Sequence, residues 1–351
     1  MEMDKKRIEY LDAMRGFTMI LVVLGHVVWY GFNYPVDNKF TYSFYNVFAY
    51  LWMPLFFFVS GFILYKKNFA WNLLVARDFI IKKIRVLIFS TLIFFILFCY
   101  VQDKSVIGGM LSIYKYGYWF TIALFEFFLF YVFFQLLMKK VANSWARNIF
   151  YIFYLLLIIA LSTSTIQDLL KFNMNIVVIT GFTYPLIQYI VFFSFGVFFK
   201  KYFNVFIRII DNDYFFALIL ILFFGGAIFL LRTDINNKWL DMISILFMGI
   251  IGIVMVYGVF YKHQASFSNT TIMGRTLQYI GKRTLDIYLL HYFFMTYHLV
   301  PIGLWFQANP NPSIDLLFSL ILSLWIIVLC LIVSHVLRCS HFLGKLLFGL
   351  K

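Results

Sequence analysis

The residues best suited to chemistry lie in the first apolar stretch. It reads Arg7-Ile8-Glu9-Tyr10-Leu11-Asp12-Ala13-Met14-Arg15-Gly16 and then runs without a charge to His26. Arg15 and His26 stand eleven positions apart, about three turns of α-helix, so they share a face and lie about 16 Å apart along its axis. That is too far for contact. The spacing suits one elongated ligand, its anionic end on Arg15 and its reactive end near His26. An imidazole is suited to taking a proton at neutral pH, the work of a general base. Asp12, one turn before Arg15, is placed to hold the guanidinium. Glu126 is the acidic residue set deepest in a later apolar stretch, at a depth within about 4 Å of His26 if both helices cross the same bilayer. It fits an orienting partner for the imidazole, a stabiliser of imidazolium or a substrate-binding group, and equally a protonated carboxyl that joins two helices.

The elements that position these residues follow from composition. The chain has 351 residues, of which 63% are hydrophobic, 23% aromatic and 13% charged. A soluble fold of this size lacks the interior to hide so much apolar surface. Ten stretches are long enough to cross a bilayer as helix: 12–32, 44–65, 86–102, 117–138, 149–166, 176–199, 213–232, 239–261, 284–305 and 314–337. Connections are short, with wider ones near 66–85 and 262–283. The expected fold is therefore all-α, a polytopic membrane helix bundle of about ten transmembrane helices forming a single domain over residues 1–351.

Charge sets the expected orientation. With the N-terminus inside, 22 of the 29 Lys and Arg residues fall in cytoplasmic segments and 6 outside, which places both termini in the cytoplasm. The net charge of +14 is thereby a record of topology and points to no nucleic-acid partner. The first stretch contains Asp12 and Arg15 and lacks a small-residue cleavage site, so it is expected to persist as a membrane helix. Cys99, Cys330 and Cys339 have no metal-ligand spacing, and no metal is expected. Ser60 and Gly61 fit close helix packing. Lys82, Lys83 and Arg85 are both what a cytoplasmic loop ordinarily carries and a cationic cluster able to meet phosphate. Tyr116, Tyr118 and Trp119 fit an interfacial aromatic belt or a platform for stacking sugars.

The string RIEYLDAMRGFTMILVVLGH resembles the opening of the membrane-bound acyltransferase family 3, marked by an Arg, ten residues and a His in the first membrane helix. Further segments resemble the family in order. They are Pro54 to Phe62 with its Ser-Gly-Phe ending, the basic Lys82-Lys83-Ile84-Arg85, Tyr118-Trp119-Phe120, and Gly281 to His291 with Tyr288 between. Lys82 stands where the family has Arg, Thr284 where Ser is common, and the proline usual after the basic motif is missing. The resemblance implies transfer of an acyl group, often acetyl, from cytoplasmic acyl-coenzyme A as co-substrate to a hydroxyl, typically on a carbohydrate. Arg15, Lys82, Lys83 and Arg85 would bind the donor's phosphates. His26 would act as base or be transiently acylated, with Glu126 supporting it and Asp12 holding Arg15, while Trp119, Tyr118, Tyr288 and His291 would line the substrate path. It also implies a bacterial inner membrane. Ten spans with buried ionisable groups describe a secondary transporter or exporter too, but the paired broken helices of such folds are not evident. A non-catalytic scaffold would need no buried Arg and His on one stripe.

Overall fold

A computed structural model of the chain describes residues 8–33, 43–67, 69–112, 114–139, 141, 145, 189–233, 237–295 and 299–349. Among these residues the secondary structure is helical and contains no strand. The helices are α1 (Glu9–His26), α2 (Ser43–Ala49), α3 (Trp52–Leu64), α4 (Leu73–Lys83), α5 (Ser90–Val101), α6 (Val106–Leu111), α7 (Trp119–Met138) and α8 (Ile190–Lys201). They continue with α9 (Phe203–Asp211), α10 (Asp213–Arg232), α11 (Lys238–Lys262), α12 (Ile272–Lys282), α13 (Thr284–Leu290), α14 (Val300–Ala308), α15 (Pro312–Cys339) and α16 (His341–Phe348). Seven stretches among the described residues are long and apolar enough to cross a membrane, or eight if Ile190–Lys201 and Phe203–Asp211 form one broken span. The chain is an all-α, multi-pass integral membrane protein. The expected span 149–166 and most of 176–199 lie outside the described residues.

Two of the wider connections contain helix. Residues 73–83 continue directly into the third span, giving one stretch Leu73–Val101. Asn72 starts it, its side chain accepting the Val75 N–H at 2.9 Å, and so satisfies a donor that a helix N-terminus leaves open. Thr271 caps α12 in the same way, accepting the Gly274 N–H at 2.9 Å. Conversely, the stretch 284–305 is not one continuous helix. The chain tightens into a 3-10 turn over His291–Phe294, and α14 begins near Pro301, which has no N–H to continue a helix. The polar residue that marks this break, His291, is fully buried.

Contacts divide the chain into two compact units, Met1–Val59 with Tyr202–Val333, and Ser60–Lys201 with Ser334–Lys351. In the first, α1 packs closely along α12. A Cβ on Gly16 would collide with the carbonyl oxygen of Leu277, and one on Gly281 with the carbonyl oxygen of Asp12. The two backbones touch because both positions are glycine, the small-residue crossing familiar between membrane helices. Around that crossing α1 is pinned by polar contacts. Glu9 accepts the backbone N–H of Asn269 at 3.0 Å and its side-chain amide at 2.6 Å, and the Tyr10 and Tyr257 hydroxyls meet at 2.9 Å.

In the second unit, α4, α5 and α7 pack through aromatic side chains. Trp71 sets its ring edge-on to Phe79 and Tyr131, and Thr91 and Thr121 share a buried hydrogen bond of 2.7 Å. Here Gly61 lies against the carbonyl oxygen of Phe193, where a Cβ would collide. This close approach is the packing role expected of Gly61.

Candidate active site

The first unit gathers most of the expected catalytic residues onto two neighbouring segments. Arg15 donates from Nη2 to the Thr284 hydroxyl at 2.9 Å, and its Nη1 lies 3.6 Å from Asp12 Oδ1. Three turns along the same helix, His26 Nδ1 lies 2.8 Å from His291 Nε2. The order of contacts, Arg15 with Thr284 and His26 with His291, means that the two segments run in the same direction. The Gly16–Gly281 crossing sets their separation: side chains can bridge only because the backbones behind them touch.

The hydrogen bonds around His26 determine where its lone pair lies. His291 Nδ1 is 2.9 Å from the carbonyl oxygen of Ile287, one turn earlier. A carbonyl can only accept, so His291 carries its proton on Nδ1 and offers Nε2 as an acceptor. His26 must then donate from Nδ1, which leaves the lone pair of a neutral imidazole on His26 Nε2. The two rings are nearly coplanar, 9° apart, with centroids 5.0 Å apart. That spacing matches two rings joined edge to edge by an in-plane N–H···N bond and is too wide for face-to-face stacking. Tyr292 Oη lies 3.4 Å from His26 Nε2, the free face of the base.

Neighbouring aromatics surround the two histidines. Tyr288 rests 6.1 Å from His291, centroid to centroid, and Tyr30 meets His26 edge-on at 5.3 Å. Tyr30 is 49% exposed, and His26 is itself only partly buried. Immediately after His26 the helix widens to a π-turn over Val27–Gly31, closed by Phe32 N–H to Val27 C=O at 2.8 Å. Such widened turns occur often at functional sites.

The remaining expected residues belong to the second unit. Lys82 and Arg85 are exposed at the end of α4 and in the π-turn that follows it, while Lys83 places its ammonium 4.3 Å over the Phe128 ring. Tyr118 is fully buried against Phe95 and Phe98, which is core packing and not an interfacial belt. Trp119 is buried against Tyr189. Glu126 has one carboxylate oxygen, Oε1, that is buried and makes no hydrogen bond among the described residues. Its charge acts on Lys115, a buried lysine whose Nζ donates to the Met110 carbonyl at 2.9 Å. Burial pushes Lys115 below the ordinary lysine range, and Glu126 pulls it partly back. Lys115, Tyr116 and Gly117 all have positive φ, at 44°, 50° and 103°, so this turn is a strained one for its two non-glycine members.

The imidazole partner for which Glu126 was the expected candidate is therefore His291, with Tyr292 on the other ring nitrogen. Tyr292 and Ile287 were not singled out in the sequence. The signal was faint: Ile287 acts through its backbone, and Tyr292 is one of 24 tyrosines. Thr284, which stands where the family has Ser, supplies the hydroxyl that orients Arg15.

Comparison with known proteins identifies the family to which the chain belongs. The profile of the acyltransferase 3 family, described as an acyltransferase domain, matches residues 8–335. No curated protein and no solved structure is detectably similar to the chain. The match takes in both Arg15 and His26 and the late segment that meets them, and covers nearly the whole sequence. The chain belongs to the acyltransferase 3 family and is a multi-pass membrane acyltransferase, acting between an acyl donor and an acceptor in a lipid bilayer.

Proposed function

We propose that the protein transfers an acetyl group from cytoplasmic acetyl-coenzyme A to a hydroxyl of a carbohydrate or glycolipid in a bacterial inner membrane, with His26 as general base. The observation that carries this reading is the placement of the His26 lone pair. The relay from the Ile287 carbonyl through His291 leaves Nε2 as the basic atom. A base so placed can take the proton of an attacking hydroxyl, while His291, accepting from Nδ1–H, holds the ring in one tautomer and orientation.

Arg15 supports the donor end. Asp12 and Thr284 fix its guanidinium while part of it stays accessible, with 29% of the side chain exposed. A guanidinium held in this way suits a phosphate of the donor. Lys82 and Arg85, exposed in the second unit, are further proposed phosphate ligands, and Lys83, committed to Phe128, contributes charge more than a direct bond. Glu126 and Trp119 are proposed to serve the acceptor, Glu126 through its unbonded oxygen, while Tyr118 packs in the core. Tyr288, its ring centroid 6.1 Å from that of His291, is proposed to line the substrate path.

Mass spectrometry of surface glycans from cells with and without the protein tests the reading. The expected result is a species heavier by one acetyl group that depends on the protein. Glycans of identical mass in both strains would contradict it, and flux of unmodified glycan into sealed vesicles would favour export instead.

A further inference from the structure

Beside the basic atom of His26 stands the hydroxyl of Tyr292, which neither the motifs nor the proposed function uses. Its oxygen lies 3.4 Å from Nε2, its ring centroid 4.0 Å from that of His291 and 5.1 Å from that of His26. The side chain is buried, and Tyr30 lies edge-on to it at 6.0 Å. Because His26 Nδ1 donates to His291, Nε2 can only accept in the neutral state, so the Tyr292 hydroxyl must be the donor.

This arrangement has a chemical consequence. An acceptor hydroxyl that gives its proton to Nε2 must occupy the position now held by the Tyr292 O–H. The displaced O–H remains next to the reacting atoms, anchored by a ring packed against both histidines, and is placed to donate to an acceptor that forms there. The atom that gains negative charge at that moment is the carbonyl oxygen of the thioester.

We propose that Tyr292 is a catalytic residue that caps the base at rest and donates its hydroxyl to the developing oxyanion during transfer. In the step, the acceptor O–H proton moves to His26 Nε2 and the acceptor oxygen bonds to the thioester carbonyl carbon. The carbonyl π pair moves onto oxygen, where the Tyr292 O–H donates to it. On collapse the C=O re-forms and the C–S bond breaks, and the leaving thiolate takes the proton from His26 Nε2. Preorganised donors of this kind act only on charge that appears in the transition state.

The proposal rests on His26 as the base, and its test separates the two ideas. Tyr292→Phe keeps the ring and its packing and removes only the hydroxyl. Membranes carrying the full-length protein, supplied with radiolabelled acetyl-coenzyme A and their own glycan as acceptor, report transfer as label entering the glycan fraction. Tyr292→Phe should lower kcat by about 10²-fold while KM for acetyl-coenzyme A stays within about two-fold, as expected when uniform binding is untouched. Full kcat in Tyr292→Phe, alongside loss of activity in His26→Ala, would overturn the role of Tyr292 and leave the base in place. A loss seen only as a raised KM would also overturn it, since that marks ground-state binding. Full activity in His26→Ala, or no transfer by the wild type, would overturn the underlying reading as well.

Discussion

At the residue scale the site depends on a single proton position. The Ile287 carbonyl fixes the His291 proton on Nδ1, and His291 in turn fixes the His26 proton, so the basicity of His26 Nε2 is set by a backbone atom two residues removed in the relay. His291 is a positioning residue in this scheme. His291→Leu leaves the His26 N–H without its acceptor and should lower kcat by about 10²- to 10⁴-fold, the range found when a base loses its orienting partner. His291→Gln, whose side-chain oxygen can accept that N–H, should recover part of the loss at unchanged KM for acetyl-coenzyme A. Equal defects in the two variants would point to packing alone. Part of this site is legible in the sequence: the shared face of Arg15 and His26, the Asp12–Arg15 pair and the placement of His291 one turn after Tyr288. The His–His bond is not. It joins residues 265 positions apart, and helical periodicity says nothing about which of several polar groups in other spans a histidine will meet.

At the element scale the decisive feature is the contact of α1 with α12. Gly16 and Gly281 allow the backbones to touch, and the bridges from Arg15 to Thr284 and from His26 to His291 follow from that approach. Gly281→Ala forces a methyl against the Asp12 carbonyl, and separating the helices should cost about 1–3 kcal/mol, the usual range for overpacking. Gly225 in α10 has no atom within 4 Å of a built Cβ and provides the control. Gly225→Ala should be neutral or stabilising by up to about 1 kcal/mol. Thermal unfolding in detergent reads both, and equal stability of the two variants would deny the crossing its role. Apolar length alone identifies most spans, including Trp119–Met138 and Asp213–Leu230, within a few residues. It fails at 284–305, where composition is apolar throughout but His291 bonds back to Ile287 and Pro301 interrupts the next turn. A hydropathy reading registers neither event.

At the scale of the whole molecule, the chain is a multi-pass membrane acyltransferase whose charge distribution predicts an orientation with both termini inside. The long stretch Leu73–Val101 connects Lys82, on the side expected to be cytoplasmic, to Lys104 just beyond its other end. Cys99 and Cys330 are buried and Cys339 is exposed, so Cys339→Ser gives a suitable background for labelling. In that background Lys104→Cys should react with a membrane-impermeant thiol reagent in intact cells, and Lys82→Cys only after permeabilisation. The reverse pattern would invert the topology and take the Arg15 end away from cytoplasmic acyl-coenzyme A.

The central claim is that His26 moves the proton in an acyl transfer from coenzyme A. Its most direct measurement is label transfer from radiolabelled acetyl-coenzyme A to endogenous glycan in membranes containing equal amounts of wild-type protein or His26→Ala. The expected result is transfer by the wild type and none above background by His26→Ala, although the variant inserts and purifies normally. Equal transfer by both proteins would contradict it.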